Sequence, residues 1–309
     1  MSPAPDVIHV GFSKCASTFL QTFFRQHPEI FLIIKSHFFT PFEHCDIASS
    51  AEKYYGLFKD AQPDQIRLES DEHILLPLHH PVLESAATTL ESVSEVSRRI
   101  KSVQRNAKII MVVRNQVSLI VSRYSEYLLA GGKLEFDDFV GEFLVCSEDG
   151  VNYYQNYYSQ ILEIFQADFS PDNVLLLLQE ELRTSEQVMI EDLCTFLGIP
   201  LREARGKDPR SKRAGLSPVG MKMMRSMNRL LVRRPAKSYR RASVKGPYFI
   251  YKICQIFIRT IDYYLPKLIK GDKKELLNEN TVARIREQYS EDNARLAGML
   301  RKDLVSLGY

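Results

Sequence analysis

The sequence predicts an α/β fold: a parallel sheet flanked by helices, with a C-terminal helical extension. Three observations predict it. The apolar runs within residues 1–200 are mostly continuous rather than alternating, the pattern of strands buried on both faces. Each run is followed by residues at helical spacing, as in strand–helix units. After Gly198-Ile199-Pro200 the runs give way to a basic loop and then to helical segments.

The elements follow in order. Val7, Ile8 and Val10 form a β-branched strand that ends at Gly11. Phe19, Leu20, Phe23 and Phe24 share one face of the helix that follows, and Pro28 lies just past its end. Ile30 to Ile34 is a second strand, delivering Lys35-Ser36-His37-Phe38-Phe39 at its carboxyl end. Residues 50–60 read as a helix, and Ile66-Arg67-Leu68-Glu69-Ser70-Asp71 as a strand running into a loop. Residues 84–105 read as a polar, exposed helix. Lys108 to Val113 is a strand ending at Arg114-Asn115, with a helix from about Val117 to Leu129. Val117, Ile120, Val121, Tyr124 and Leu128 form its apolar stripe, Ser118, Ser122 and Ser125 flank the stripe, and Gly131-Gly132 stops it. Residues 135–146 and 151–166 read as helices, the second rich in tyrosine. Asn173 to Leu178 is the last strand, followed by Glu180-Glu181-Leu182 and a helix over 186–197. Residues 202–217 form a long loop, and helices are expected over 217–232, 247–266 and 278–304. The whole is expected to be one domain, 1–309, with a nucleotide-binding core over 1–200 and a basic loop plus helices over 201–309.

Hydrophobic content of 45% and charged content of 26% leave ample material for a core. The five cysteines are scattered without a CxxC pair, which argues against a disulfide framework and a zinc site. The N-terminus lacks a basic stretch followed by an apolar one, so the expected setting is cytoplasmic. A net charge of +3 hides an asymmetry: residues 202–241 carry fourteen Lys and Arg against two Asp and Glu. Such a segment suits an anionic ligand, a nucleic acid or a membrane surface.

The chemistry concentrates at the first strand–helix turn. Gly11, Lys14, Ser17 and Thr18 lie between the strand and the helix. A turn that feeds a helix N-terminus offers backbone N–H groups and the positive end of the helix dipole. Lys14 adds a full charge and the hydroxyls add donors, which together make a phosphate site. The nucleotide loop G-x-x-x-x-G-K-[ST] is not matched, because no second glycine precedes the lysine. Arg114, at a strand end, can fork two N–H groups onto a second phosphate, with Ser122 of the next helix beside it.

Lys-x-x-Ser-Thr at the head of a helix, followed much later by strand–Arg-Asn-x6-Ser-x-Tyr, resembles the two nucleotide elements of sulfotransferases that use 3′-phosphoadenosine-5′-phosphosulfate. Gln26-His27-Pro28-Glu29-Ile30 with His37-Phe38-Phe39 is similar to heparan-type and bacterial members. So are Pro171-Asp172-Asn173 through Leu178, Phe196-Leu197-Gly198 and the closing Asp292-Asn293-Ala294-Arg295-Leu296. The resemblance implies a P-loop type of nucleotide-binding fold and in-line sulfuryl transfer to a hydroxyl or amine of a small molecule or carbohydrate, with no metal. By that resemblance Lys14, Ser17 and Thr18 would hold the 5′-phosphosulfate, with Cys15, Ala16 and Phe19 in the same loop. Arg114 and Ser122 would hold the 3′-phosphate, and Lys207, Lys212 and Arg213 would close over the cofactor.

The family pattern breaks on the acceptor side. Heparan-type relatives carry a catalytic glutamate where this chain has Lys35, and a lysine where it has Ser70. His37 is the expected base, since its ordinary pKa suits proton uptake at neutral pH. Lys35 is a second cation, or a base if its pKa is depressed, and Glu69 and Asp71 are further candidates as base or acceptor anchor. Two other readings compete. A P-loop kinase-like enzyme needs an acidic Mg²⁺ ligand at a strand end, where this chain has Arg114. A peripheral membrane or nucleic-acid binder would use residues 202–241 and the apolar stretch 247–266, with Met221, Met223, Met224 and Met227 in an interfacial helix. Core packing of those methionines is the preferred reading. Nucleic-acid binding is therefore not expected, membrane association is possible without being the expectation, and the oligomeric state is left open.

Overall fold

The structure, a computed structural model, describes residues 6–34, 54–72, 74–75, 90–144, 156–202, 215–235, 242–272 and 277–309. Strands β1 (Val7–Gly11), β2 (Ile30–Ile34), β3 (Ile66–Ser70), β4 (Lys108–Val113) and β5 (Val174–Leu178) form one parallel sheet in the order β2-β3-β1-β4-β5. The central strand β1 pairs Ile8 with Glu69 on one side and with Ile109 on the other. Its register against β4 shifts between His9 and Gly11, just where the chain leaves the sheet.

Helices cover the sheet as the apolar spacing predicts. Helix α1 (Ser17–Gln26) buries Ser17, Leu20, Phe23 and Phe24. Ile109 to Val113 of β4 are all fully buried, which accounts for the unbroken apolar run. Helix α2 (Leu90–Val103) corrects the expectation of an exposed helix. Its many polar residues mask a stripe, Val93, Val96, Ile100 and Val103, that is buried. Ser97 on the same face donates to Asp168 at 2.6 Å. Helix α3 (Gln116–Leu129) is capped by Asn115, whose side chain accepts from the Ser118 N–H. Leu119, rather than Val117, completes its buried stripe.

Helices α4 (Phe136–Leu144), α5 (Tyr158–Phe169) and α6 (Glu186–Leu197) follow, with β5 between the last two. Beyond them α7 (Pro218–Leu231), α8 (Tyr248–Tyr264) and the long α9 (Glu279–Leu300) complete the chain. A short antiparallel ribbon, Val232–Arg234 with Ser243–Val244, links α7 to α8. Met221, Met224 and Met227 are buried in a second apolar cluster with Ile120, Tyr124 and Leu128 of α3. Part of the basic excess is neutralised locally, since Arg225 and Arg229 both pair with Glu135 and Arg202 pairs with Glu29.

The closing motif is a docking device. Asp292 accepts from the backbone N–H and the hydroxyl of Ser159, and Asn293 exchanges two hydrogen bonds with Gln116. Burial raises the pKa of Asp292, and the Ser159 donors offset part of that rise. Helix α9 is thereby keyed to α3 and α5, the helices that flank the end of β4.

Candidate active site

In an open parallel sheet, ligands bind at the carboxyl ends of strands where the connections diverge. Here that point lies between β1 and β4: the chain leaves β1 toward β2 on one side, and leaves β4 toward β5 on the other. Both sequence motifs stand at this crevice.

The loop after β1 is anchored to the sheet by the Phe12 N–H, which donates to Val112 O at 3.0 Å. Cys15 N and the Ser17 hydroxyl both donate back to Phe12 O, at 3.2 Å each. Lys14 and Ala16 adopt left-handed backbone with φ of 69° and 60°. Ala16 occupies the N-cap of α1 and supplies no side-chain cap to the amides of the first turn. Gly11 has φ of 127°, and a Cβ there would stand 3.3 Å from the backbone oxygen of Glu72. Only glycine fits so close an approach with that backbone.

Arg114 reaches the same loop from β4. Its Nη1 lies 3.4 Å from Lys14 O, and its Nε donates to Ser118 Oγ at 2.7 Å. Lys14 Nζ pairs with Glu126 Oε1 at 2.8 Å, and Arg123 approaches the other oxygen of Glu126 at 3.4 Å. Ser118, Ser122 and Glu126 are spaced four residues apart and form one row on α3. The row carries a cation partner at each end and Ser122 in the middle. The arrangement can take up an anion with two charged groups about one loop's width apart.

The turn bearing Arg114 is held from both sides. Tyr158, fully buried, donates its hydroxyl to Arg114 O at 2.8 Å. Glu180 Oε1 accepts from Asn115 N at 3.1 Å and from Asn115 Nδ2 at 2.8 Å, and Glu180 Oε2 accepts from the Tyr309 hydroxyl at 3.0 Å.

The end of β3 carries a buried polar group beside the loop. His9 Nδ1 stands 2.8 Å from Ser70 Oγ, and Gln21 Nε2 donates to Ser70 Oγ at 3.2 Å and to Glu72 Oε2 at 2.9 Å. Burial lowers the His9 pKa to about 4, and the nearby Glu72 charge offsets only part of the effect. The imidazole is therefore neutral in the fold at neutral pH. Between pH 6.5 and about 4 the unfolded chain binds a proton at His9 that the folded chain refuses. Stability contributed by neutral His9 is thus present above 6.5 and falls as the pH drops, with a slope approaching about 1.4 kcal/mol per pH unit. Urea unfolding from neutrality to pH 4.5 should show a shallower decline for His9→Gln than for the wild type; parallel declines would contradict this.

The predicted residues divide into three groups. Lys14, Cys15, Ala16, Ser17, Thr18, Phe19, Arg114 and Ser122 come together at the β1/β4 crevice. Of these Cys15 is fully buried, with its thiol donating to Ser13 O and its pKa pushed by burial up to about 12, so it offers the site its backbone alone. Glu69 is fully buried and accepts from the Tyr54 hydroxyl, and Asp71 is equally buried. Lys35, His37, Lys207, Lys212 and Arg213 lie outside the described residues, as do Tyr153 and Tyr154. Tyr158, from the same tyrosine-rich stretch, is part of the core. Sequence reasoning missed Ser118, Glu126, Gln21, Glu72 and Glu180. Ser118 and Glu126 carried a signal, because they stand one turn on either side of Ser122.

Comparison with known proteins identifies the family. A family model described as the sulfotransferase domain matches residues 4–213. A sulfotransferase from Alicyclobacillus acidocaldarius is similar in structure, with a TM-score of 0.59 at 15% identity over 99% of both chains. Mouse sulfotransferase SULT7A1, solved in complex with PAP, is similar at a TM-score of 0.47 and 16% identity over 93% of this chain and 83% of its own. No curated protein sequence matches significantly. The family match spans about two thirds of the chain, including the β1 loop and Arg114, and the chain belongs to the sulfotransferase family.

Proposed function

We propose that this transferase moves the sulfuryl group of 3′-phosphoadenosine-5′-phosphosulfate to a hydroxyl or amine of a small-molecule or carbohydrate acceptor. One observation carries the donor half of the reading: Arg114 Nη1 lies 3.4 Å from the carbonyl of Lys14, a residue 100 positions away, so two cations converge on one crevice. A nucleotide with phosphates at both its 3′ and 5′ positions matches two such anion sites.

In this reading the 5′-phosphosulfate lies on the Lys14–Thr18 loop, against the amides of the first turn of α1. The 3′-phosphate lies between Arg114 and Ser122. The acceptor oxygen or nitrogen attacks sulfur opposite the bridging oxygen. As the bond to sulfur forms, the bond from sulfur to the bridging oxygen breaks, and its electron pair stays on the phosphate. Lys14 neutralises the charge that grows there. To reach that oxygen, Lys14 exchanges Glu126 for the donor. The acceptor's proton passes to a base, for which His37 is the first candidate. Glu72, half-buried and bonded to Gln21 beside Gly11, is a second, better exposed to the crevice than Glu69 or Asp71.

Isothermal titration with 3′-phosphoadenosine-5′-phosphate tests the donor. Micromolar binding by the wild type is expected; a well-folded protein that does not bind would overturn the reading.

A further inference from the structure

Helix α8 buries Gln255 and Asp262 together with Tyr251 and Ile258, and turns most of its large apolar residues outward. The inner face is buried: Gln255 donates to Leu129 O at 2.8 Å, and Tyr251 donates to Asn228 Oδ1 at 3.1 Å. Asp262 accepts from Ser217 N at 3.0 Å and from the Ser217 hydroxyl. Its carboxyl packs on Gly220, where a Cβ would stand only 2.5 Å away, so the helix is held tightly from that side. The opposite face exposes Phe249, Ile250, Ile253, Ile256 and Phe257, with relative exposures of 64%, 45%, 59%, 62% and 64%. At 100° per residue these five side chains and Tyr264 fall within one sector, directly opposite Tyr251, Gln255 and Ile258. The five lie within residues 249–257 of the 17-residue helix, and an exposed apolar face of this kind marks an interaction surface.

Charge selects the occupant. Residues 215–272 carry thirteen Lys and Arg against two Asp and Glu, of which Asp262 is buried, and an excess remains after Glu135 pairs with Arg225 and Arg229. Lys252 and Arg259 are exposed along one border of the stripe, and Lys245 is exposed just before its first turn. Arg259 and Lys270 also line a cavity of about 610 Å³ that opens beside Ile256, Tyr263 and Tyr264. A two-fold pairing of this face with itself would bring two such basic segments together. A sheet of anionic headgroups neutralises them and receives the apolar side chains at the acyl boundary. Among the described residues no helix is long and apolar enough to cross a membrane, so α8 would lie in the surface plane.

We propose that the outer face of α8 docks on an anionic lipid bilayer surface, with Phe249, Ile253 and Phe257 inserted and Lys252, Arg259 and Lys270 facing headgroup phosphates. The proposal stands apart from the donor reading, and its test does not use activity. Sedimentation with vesicles of equal phosphatidylglycerol and phosphatidylcholine, against phosphatidylcholine alone, is compared at about 50 mM and about 500 mM salt. Binding is expected on the anionic vesicles at low salt. The combined variant Phe249→Ser, Ile253→Ser, Phe257→Ser should weaken it by at least about tenfold, and Lys252→Glu with Arg259→Glu should do likewise. All five side chains are exposed, so circular dichroism and Tm should be unchanged, which separates lost docking from lost fold. Failure of the wild type to bind, or binding that survives the triple substitution, overturns the proposal. If the wild type is a dimer that the triple variant renders monomeric, and vesicles are not bound, the face belongs to a second copy instead.

Discussion

Lys14→Ala is expected to lower kcat by about 10²–10³ while weakening 3′-phosphoadenosine-5′-phosphate by only about tenfold. The asymmetry follows from where charge develops. In the proposed ground-state complex Lys14 is one of several groups around a phosphate that the loop amides also surround. In the proposed transition state it faces the bridging oxygen, where the new charge grows. The lysine starts from an ion pair with Glu126, so part of its ground-state binding is exchange of one anion for another. Steady-state kinetics at saturating donor gives the first number and titration calorimetry the second. A kcat within about threefold of wild type would remove Lys14 from the chemistry. The same assay applied to His37→Ala tests the proposed base, since loss of a general base typically costs 10²–10⁴-fold.

Arg114→Ala should do the reverse: about a hundredfold weaker binding of the nucleotide, with kcat at saturation nearly unchanged. The Nε–H of Arg114 is engaged by Ser118 at 2.7 Å, which fixes the plane of the guanidinium and aims its remaining N–H groups. Its main chain is fixed as well, by Tyr158 and through Asn115 by Glu180. A pre-set fork of this kind loses little side-chain freedom on binding, so its removal costs most of a charge-assisted pair. Arg114→Lys restores the charge but not the fork, and should recover less than about tenfold of the loss. Calorimetry on the three proteins measures this. Full rescue by lysine would mean that Arg114 acts as a point charge and that the Ser118 contact is incidental.

Much of this was legible in the sequence because the sheet is parallel and buried. Runs such as Ile109 to Val113 have to be apolar on both faces, so they announce themselves. The loop at Lys14 was legible because small residues and a lysine between a strand and a helix have few other uses. The rest required knowing which side of a helix faces inward. In α2, polar residues outnumber the stripe that packs on the sheet, and in α8 the apolar residues are the ones turned outward. Periodicity reveals that a helix has two faces, and only the fold says which is covered. The role of Glu180 was invisible for a different reason. Its partners Asn115 and Tyr309 are 65 and 129 residues away, and no local pattern joins them.

The strand order has a dynamic consequence. Both strands that carry the proposed donor site are interior, β1 lying between β3 and β4, and β4 between β1 and β5. Their amides can exchange with solvent only when the sheet as a whole opens, whereas edge strands and peripheral helices can open alone. The Phe12–Thr18 loop is therefore mounted on the slowest-exchanging part of the molecule and is tied to it through Phe12 N and Val112 O. Deuterium uptake on nucleotide binding should change in the turn from Phe12 to Thr18 and hardly at all in the strands beneath it. Thermal softening of the outer helices would then leave the spacing of the two anion sites intact until the whole domain unfolds.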